Sequence, residues 1–446
     1  MNNLKTWLAT SGFLTIGRLA GAGAGFLTQI LLARVLSPRE LGLFFALTSL
    51  AVVASIVAAG GYPGVMQRFM TRYRERQKLR LMSAFVRWTQ LETVKKTASI
   101  ALIFFILAAM WPLDSDTRIT FVASVFLMLA MASLHIHVPI AVAERRFALA
   151  ILPDSLVRPF LFLATVAVIA LYGASISAGG VACIYAGLTA VVALAQFVLI
   201  FPMLAKHSPS SAAKRLKRKW RQEATPLIVV ALFTTLFADI ATFLAAPFLA
   251  LENVASFGIS IKISMLIGFV VQVSQQVALP DLALANQRRD GALRFQALTR
   301  ASLLPSIITL TATLLTIAWG EVLLGLFGTA FVSAKWSLVL MTGTQFIRAV
   351  AGPNSLMLTL VGAHRVNWMI CFGCSALLLI SNAILIPSYG LEGAALSTGI
   401  CYVAWVAATT VALWRLSHVR TDIFVLAFRP RQFDVVPSSA VRRLES

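Results

Sequence analysis

Apolar and polar positions alternate on a coarse scale along this 446-residue chain. Twelve stretches rich in Leu, Ile, Val, Ala and Phe are separated by short polar loops. A helix needs about 20 mostly apolar residues to cross a hydrocarbon core of roughly 30 Å. The stretches predict spans at 11–33, 41–62, 97–112, 119–141, 150–171, 180–203, 225–249, 254–279, 303–319, 337–360, 367–387 and 391–414. The third looks short because its helix begins earlier, near Leu79. Its first half, with Arg80, Arg87, Trp88, Glu92, Lys95 and Lys96, is amphipathic and is expected to anchor at the inner interface.

The longest polar interruption, 206–224, divides these helices six and six. The expected fold is therefore an all-α integral membrane protein with twelve transmembrane helices in two six-helix bundles. The bundles are placed at 1–204 and 225–414, joined by a basic cytoplasmic linker at 205–224. A weak repeat at a shift of 213 residues, Leu36–Phe44 onto Leu249–Phe257, fits two parallel halves. The tail 415–446 is basic, carries Pro430 and Pro437, shows no sustained period and is read as disordered.

Composition agrees. The chain is 59% hydrophobic and only 12% charged, where soluble domains carry about 25% charge. A net charge of +21 would fit a nucleic-acid ligand, but the charge is not gathered in one domain. Of the 38 Lys and Arg, 27 fall in the N-terminus, alternate loops and tail, and four (Arg34, Arg39, Arg118, Lys335) in the loops between. Cytoplasmic loops carry the excess of Lys and Arg, so both termini are expected in the cytoplasm. Docking of anionic lipids or cytosolic enzymes on these loops is the lesser reading. Arg18 interrupts the first apolar run and no small-residue cleavage site follows, so that run reads as a permanent span rather than a signal peptide.

Charged groups inside spans are expensive and normally face a partner or a cavity. Four basic residues qualify: Arg18, Arg158, Lys262 and Arg348. Only Asp154 and Asp239 oppose them, so the balance within the membrane is positive. Arg18 shares a stripe of span one with Ser11, Thr15, Gly25 and Gln29, while Gly17, Gly21 and Gly25 repeat at four and permit close packing. Gln345 and Arg348 share a face of span ten, which places Arg348 near mid-depth. Lys262 and Gln276 are nearly in phase on span eight. Asp154 and Arg158 stand four apart and can pair within their own helix, which Pro153 and Pro159 are expected to bend. Asp239 has no cation one turn away and is read as an ion pair across helices or a proton carrier.

Other chemistry is thin. His135 and His137 are two apart and do not face each other on a helix. Cys371 and Cys374 form a C-x-x-C inside an apolar helix and read as small buried side chains, with no metal site and no cofactor. There is no G-x-x-x-x-G-K-[ST], H-E-x-x-H or G-x-S-x-G, and the outer loops are too short for a catalytic constellation, so no enzyme activity is expected.

Three stretches carry a resemblance. Leu32-Ala33-Arg34-Val35-Leu36-Ser37-Pro38-Arg39-Glu40-Leu41-Gly42-Leu43-Phe44 resembles the first turn of bacterial polysaccharide flippases. Ile386-Pro387-Ser388-Tyr389-Gly390-Leu391-Glu392-Gly393-Ala394-Ala395 resembles their P-x-Y-G-x-x-G-A-A turn, and Glu252–Ile259 the matching turn of the second half. The chain thus resembles the Wzx-like polysaccharide transporter family of the MOP (MATE-like) superfamily. The resemblance implies a V-shaped pair of bundles in the bacterial inner membrane, flipping an undecaprenyl-diphosphate-linked oligosaccharide for exopolysaccharide, capsule or O-antigen export. It also implies a central cationic cavity, for which Arg18, Arg158, Lys262, Arg348, Gln345 and Gln276 are the candidates, with Asp239 and Asp154 for ion coupling or an internal pair. Implied partners are the lipid-linked oligosaccharide, membrane lipids, and a polysaccharide polymerase and glycosyltransferases. A MATE-type cation or drug antiporter on the same fold is the alternative, and a lipid-modifying enzyme or a scaffold for glycan synthesis are weaker ones.

Overall fold

A computed structural model describes the chain except for residues 1, 111, 113, 174, 205–212, 236, 289, 418–420 and 424–446. Most of the tail read as disordered, and the first part of the 205–224 linker, lie outside the described residues. The described backbone is helical almost throughout. The helices are α1 (Asn2–Val35), α2 (Pro38–Ala59), α3 (Tyr62–Glu75), α4 (Leu79–Met110), α5 (Ser115–Ala143), α6 (Phe147–Leu152), α7 (Arg158–Leu171) and α8 (Ala178–Leu204). They continue as α9 (Ala213–Ala224), α10 (Pro226–Thr235), α11 (Phe237–Ala245), α12 (Leu251–Arg288), α13 (Gly291–Gly325), α14 (Lys335–Ala351), α15 (Asn354–Leu360) and α16 (His364–Ser417).

Among the described residues eight helices are long and apolar enough to cross a membrane, nine if α10 and α11, bent by 75°, form one span. The 34-residue α1, the 17-residue α14 and the second leg of α16 fall on three more of the predicted spans. The 54-residue α16 is two spans joined at Gly390 (φ 54°, ψ −126°). That glycine and Gly393, where a Cβ would lie 2.2 Å from the Leu385 carbonyl oxygen, form the turn of the Pro387–Ala395 motif.

The chain forms two compact units, Met1–Phe243 and Leu244–Ser446. Their boundary falls inside the seventh predicted span, so α10 and most of α11 group with the first unit.

Local sequence explains where helices start and turn. Pro38 opens α2 behind a capping box: Glu40 N–H donates to Ser37 Oγ at 3.3 Å, and Ser37 N–H to Glu40 Oε2 at 2.9 Å. Gly60 and Gly61, both left-handed, then turn the chain into α3. A Cβ on Gly61 would lie 2.0 Å from the Ala224 carbonyl oxygen, so α9 can end there only against glycine.

The amphipathic α9 is an ordered part of the linker. Its Trp220 is fully buried in an aromatic cluster with Tyr62, Phe69, Tyr73, Phe85 and Trp88, and its indole N–H donates to the Tyr73 hydroxyl at 2.8 Å. Arg221 adds an ion pair with Glu92 at 2.8 Å. Trp88 is therefore a core residue, not the interfacial anchor expected from the sequence. Its ring stands 5.2 Å from Tyr62 and 5.3 Å from Trp220, which shields it from any membrane surface.

Candidate functional site

The fifth predicted span is not a plain helix. Residues Pro153–Val157 form a π-turn between α6 and α7. Pro159 cannot donate to the Ser155 carbonyl, and Arg158 N–H instead reaches the Pro153 oxygen, one residue further back than in an α-helix. This is the physical form of the bend expected from the two prolines. Gly21 of α1 packs on the bulge so closely that a Cβ there would lie 1.6 Å from the Ser155 oxygen. Gly17 also packs, against Leu152, whereas nothing approaches Gly25 within 4 Å. The glycine face thus brings Arg18, half-buried on α1, close to the turn that carries Asp154 and Arg158.

A polar cluster forms around that turn within the first unit. Arg158 Nη2 lies 2.9 Å from Asp154 Oδ1, and Nη1 donates to the Tyr185 hydroxyl of α8 at 2.6 Å. The guanidinium also stands 5.4 Å from the Tyr185 ring centroid and touches Met131 Sδ of α5 at 3.6 Å. Asp239 of α11 accepts from Ser49 Oγ of α2 at 3.4 Å and acts electrostatically on Tyr185. Beside these, His135 Nε2 and Ser55 Oγ share a hydrogen bond of 3.1 Å. Asp154 and Arg158 therefore gather at Tyr185, with Asp239 close enough to act on it electrostatically. Tyr185 and Ser49 were not singled out from the sequence. The available signal was a phenol within an apolar helix, since a buried tyrosine hydroxyl finds a polar partner.

In the second unit the tenth predicted span breaks. α14 ends at Ala351; Gly352 (φ 75°) and Pro353 interrupt it, and α15 follows. Arg348 accordingly occupies the last turn of a helix, where the unpaired carbonyls and the dipole favour a cation. The sequence had placed it in the middle of an unbroken span. The break is stitched by side chains: Thr421 Oγ1 donates to the Ala351 carbonyl at 3.0 Å, and Asn354 Nδ2 to Thr410 Oγ1 of α16 at 2.8 Å. Thr410 stands two turns before the end of α16.

Gln345 is buried one turn before Arg348, and both converge on the buried Tyr402 hydroxyl of α16. Gly268 of α12 makes room for the amide: a Cβ there would lie 2.2 Å from Gln345 Oε1, an oxygen with no hydrogen-bond partner. Lys262 is half-buried and Gln276 exposed on the same helix. Fourteen residues separate them, about 21 Å at 1.5 Å per residue, so they mark two levels rather than one binding point.

The charge is divided unequally. Within the predicted spans and α11 of the first unit, Arg18 and Arg158 are matched by Asp154 and Asp239. Spans eight to twelve of the second unit hold Lys262 and Arg348, and their one carboxylate is Glu392 in the turn that opens the last.

No protein-family model and no curated protein matches the sequence. Solved structures do. The chain superposes on lipid II flippase MurJ in an inward closed conformation with a TM-score of 0.70 at 13% identity, over 90% of this chain and 87% of that one. An inward-facing multidrug resistance MATE transporter of the MOP superfamily gives 0.70 at 13% identity, over 90% and 97%. A MOP superfamily transporter from Pyrococcus furiosus, described as having a binding pocket of reverse polarity that suggests a different function, gives 0.60 at 14% identity, over 93% and 95%. The fold is therefore that of the MOP transporters.

Proposed function

We propose that this protein is a MOP-type transporter that moves an anionic lipid-linked oligosaccharide, of the undecaprenyl-diphosphate class, from the inner to the outer leaflet of a bacterial inner membrane by alternating access. The observation that carries this reading is the excess of cations in the spans of the second unit. A diphosphate must shed water to cross a low-dielectric core, and a guanidinium replaces that water with paired N–H donors. Arg348 sits at a helix end beside a buried amide oxygen and a phenol, a setting that can bind both phosphate oxygens and sugar hydroxyls. The fold supports the reading in kind, because one neighbour is a lipid II flippase and another is described by the reversed polarity of its pocket. With both termini on the basic side, the cytoplasm is where cargo enters.

The test is a leaflet-resolved assay in proteoliposomes carrying a fluorescent polyprenyl-diphosphate oligosaccharide. Wild-type protein is expected to expose the label to an outside quencher, and a rate equal to protein-free vesicles would reject the proposal. A second reading is favoured by Asp239, which faces Ser49 and Tyr185 and could cycle a proton for a cation antiporter. Overexpression that confers resistance to cationic dyes, lost in Asp239→Asn, would select it.

A further inference from the structure

A pocket lies wholly within the first unit, away from Arg158 and Asp239. It is a groove of about 410 Å³ between α4, α5 and α8. That volume is within the roughly 300–1,000 Å³ of small-molecule sites. Small residues, Ala130, Ala190 and Ala193, open it between the helices.

One end of the groove is apolar and the other polar. Val94, Phe126 and Leu194 line its mouth and are themselves more than half exposed, so the mouth opens onto lipid. At the other end, Gln90 Nε2, Thr93 Oγ1 and His137 Nδ1 are buried and have no hydrogen-bond partner. Thr93 and His137 are only 4% and 5% exposed, so their unpartnered atoms are shielded from bulk water. An amide N–H and a hydroxyl can both donate, and the imidazole nitrogen can donate or accept. The missing partner therefore carries acceptor oxygens.

The depth of the polar end fits a headgroup boundary. Arg87 and Lys95, both exposed on α4, flank Gln90 and Thr93, and charges on a lipid-facing surface belong at the interface. His137 and Phe126 are eleven residues apart on α5, about 16 Å at 1.5 Å per residue. An amphiphile lying along the groove would have its oxygens at the basic end and its tail toward the membrane centre.

We propose that this groove is a specific site for one glycerophospholipid of the inner leaflet, its ester and phosphate oxygens held by Gln90, Thr93 and His137 and one acyl chain laid against Phe126 and Leu194. The site is independent of the transport reading, since none of its residues belongs to the charged clusters. Native mass spectrometry of the full chain, extracted in mild detergent and then exchanged into a phosphatidylethanolamine and phosphatidylglycerol mixture, tests it. Wild-type protein is expected to keep one phospholipid adduct. Gln90→Leu/Thr93→Val, which preserves the shape, is expected to lower its occupancy at least tenfold, and Ala193→Trp to abolish it. Equal adducts in all three proteins, or an adduct of detergent or polyprenyl phosphate in place of phospholipid, would overturn the site. A diazirine-tailed phospholipid photolysed on unmutated protein gives a check that does not depend on variant folding. Crosslinks concentrated in residues 90–94, 126–137 and 190–197 support the groove, and labelling spread evenly over the exposed helices refutes it.

Discussion

The two units hold their intramembrane charge in opposite ways. In the first, Arg158 is fixed by Asp154 and Tyr185, and the two predicted cations are matched by two carboxylates. In the second, Lys262 and Arg348 share spans with no carboxylate beyond the Glu392 turn, and Arg348 stands at a helix end rather than in an ion pair across one turn. A cation paired internally serves structure, because removing it leaves a carboxylate without its partner. One held by a helix terminus, an amide and a phenol keeps capacity for an outside anion. On the proposed function, the second unit is therefore where we place the cargo anion, with Arg158 expected to serve structure.

The sharpest way to break this comparison is to remove one arginine from each unit. Arg348→Ala is expected to abolish glycan export while the protein stays inserted and abundant, as read by complementation of an export-deficient strain and by membrane yield. Full complementation would take Arg348 out of the site. Trp220→Ala probes the brace at the basic end of the first unit. It should cost about 3–5 kcal/mol, the usual range for truncating a buried Trp, and appear as a large fall in the melting temperature of the purified protein. Next comes Arg158→Ala, which leaves Asp154 without its cation. The Asp154 side chain is 36% exposed, so the cost should be about 1–3 kcal/mol rather than that of a fully buried pair. Adding Asp154→Asn to Arg158→Gln should recover most of that stability and leave export near wild type. An export-null double variant that melts normally would return Arg158 to the site. The smallest contrast lies within one helix. Gly21→Ala must push α1 off the Ser155 carbonyl and should destabilise by about 1–3 kcal/mol, whereas Gly25→Ala, with nothing near it, should be neutral or stabilising by up to about 1 kcal/mol.

Much of the fold was legible because membrane insertion depends on local quantities. Span length, loop charge and turn chemistry are each written in a few dozen consecutive residues, and Ser37-Pro38-Arg39-Glu40 and Pro387–Ala395 became the cap and the turn that their resemblance implied. Pro153 with Pro159 marked the bend that takes the form of the π-turn. Gly352-Pro353, an equally local signal, marks the break that shortens span ten. Other features had no local signal. Arg294 of α13 is 2% exposed, and Trp88 and Trp220 meet across more than a hundred residues of chain. Neither burial nor such a pairing follows from periodicity.

By itself, the sequence determined that this chain is an all-helical membrane protein, where most of its helices begin, and that its spans carry more positive than negative charge. Each follows from free energies of single segments in lipid, which depend on composition and order alone. Only the tertiary structure decided which charges pair, that Asp239 and Tyr185 join Arg158, and that three polar groups line an apolar groove without partners. Those outcomes depend on distances of a few ångströms between segments far apart in the chain, and a charge in lipid acts according to its nearest partner rather than its place in the sequence.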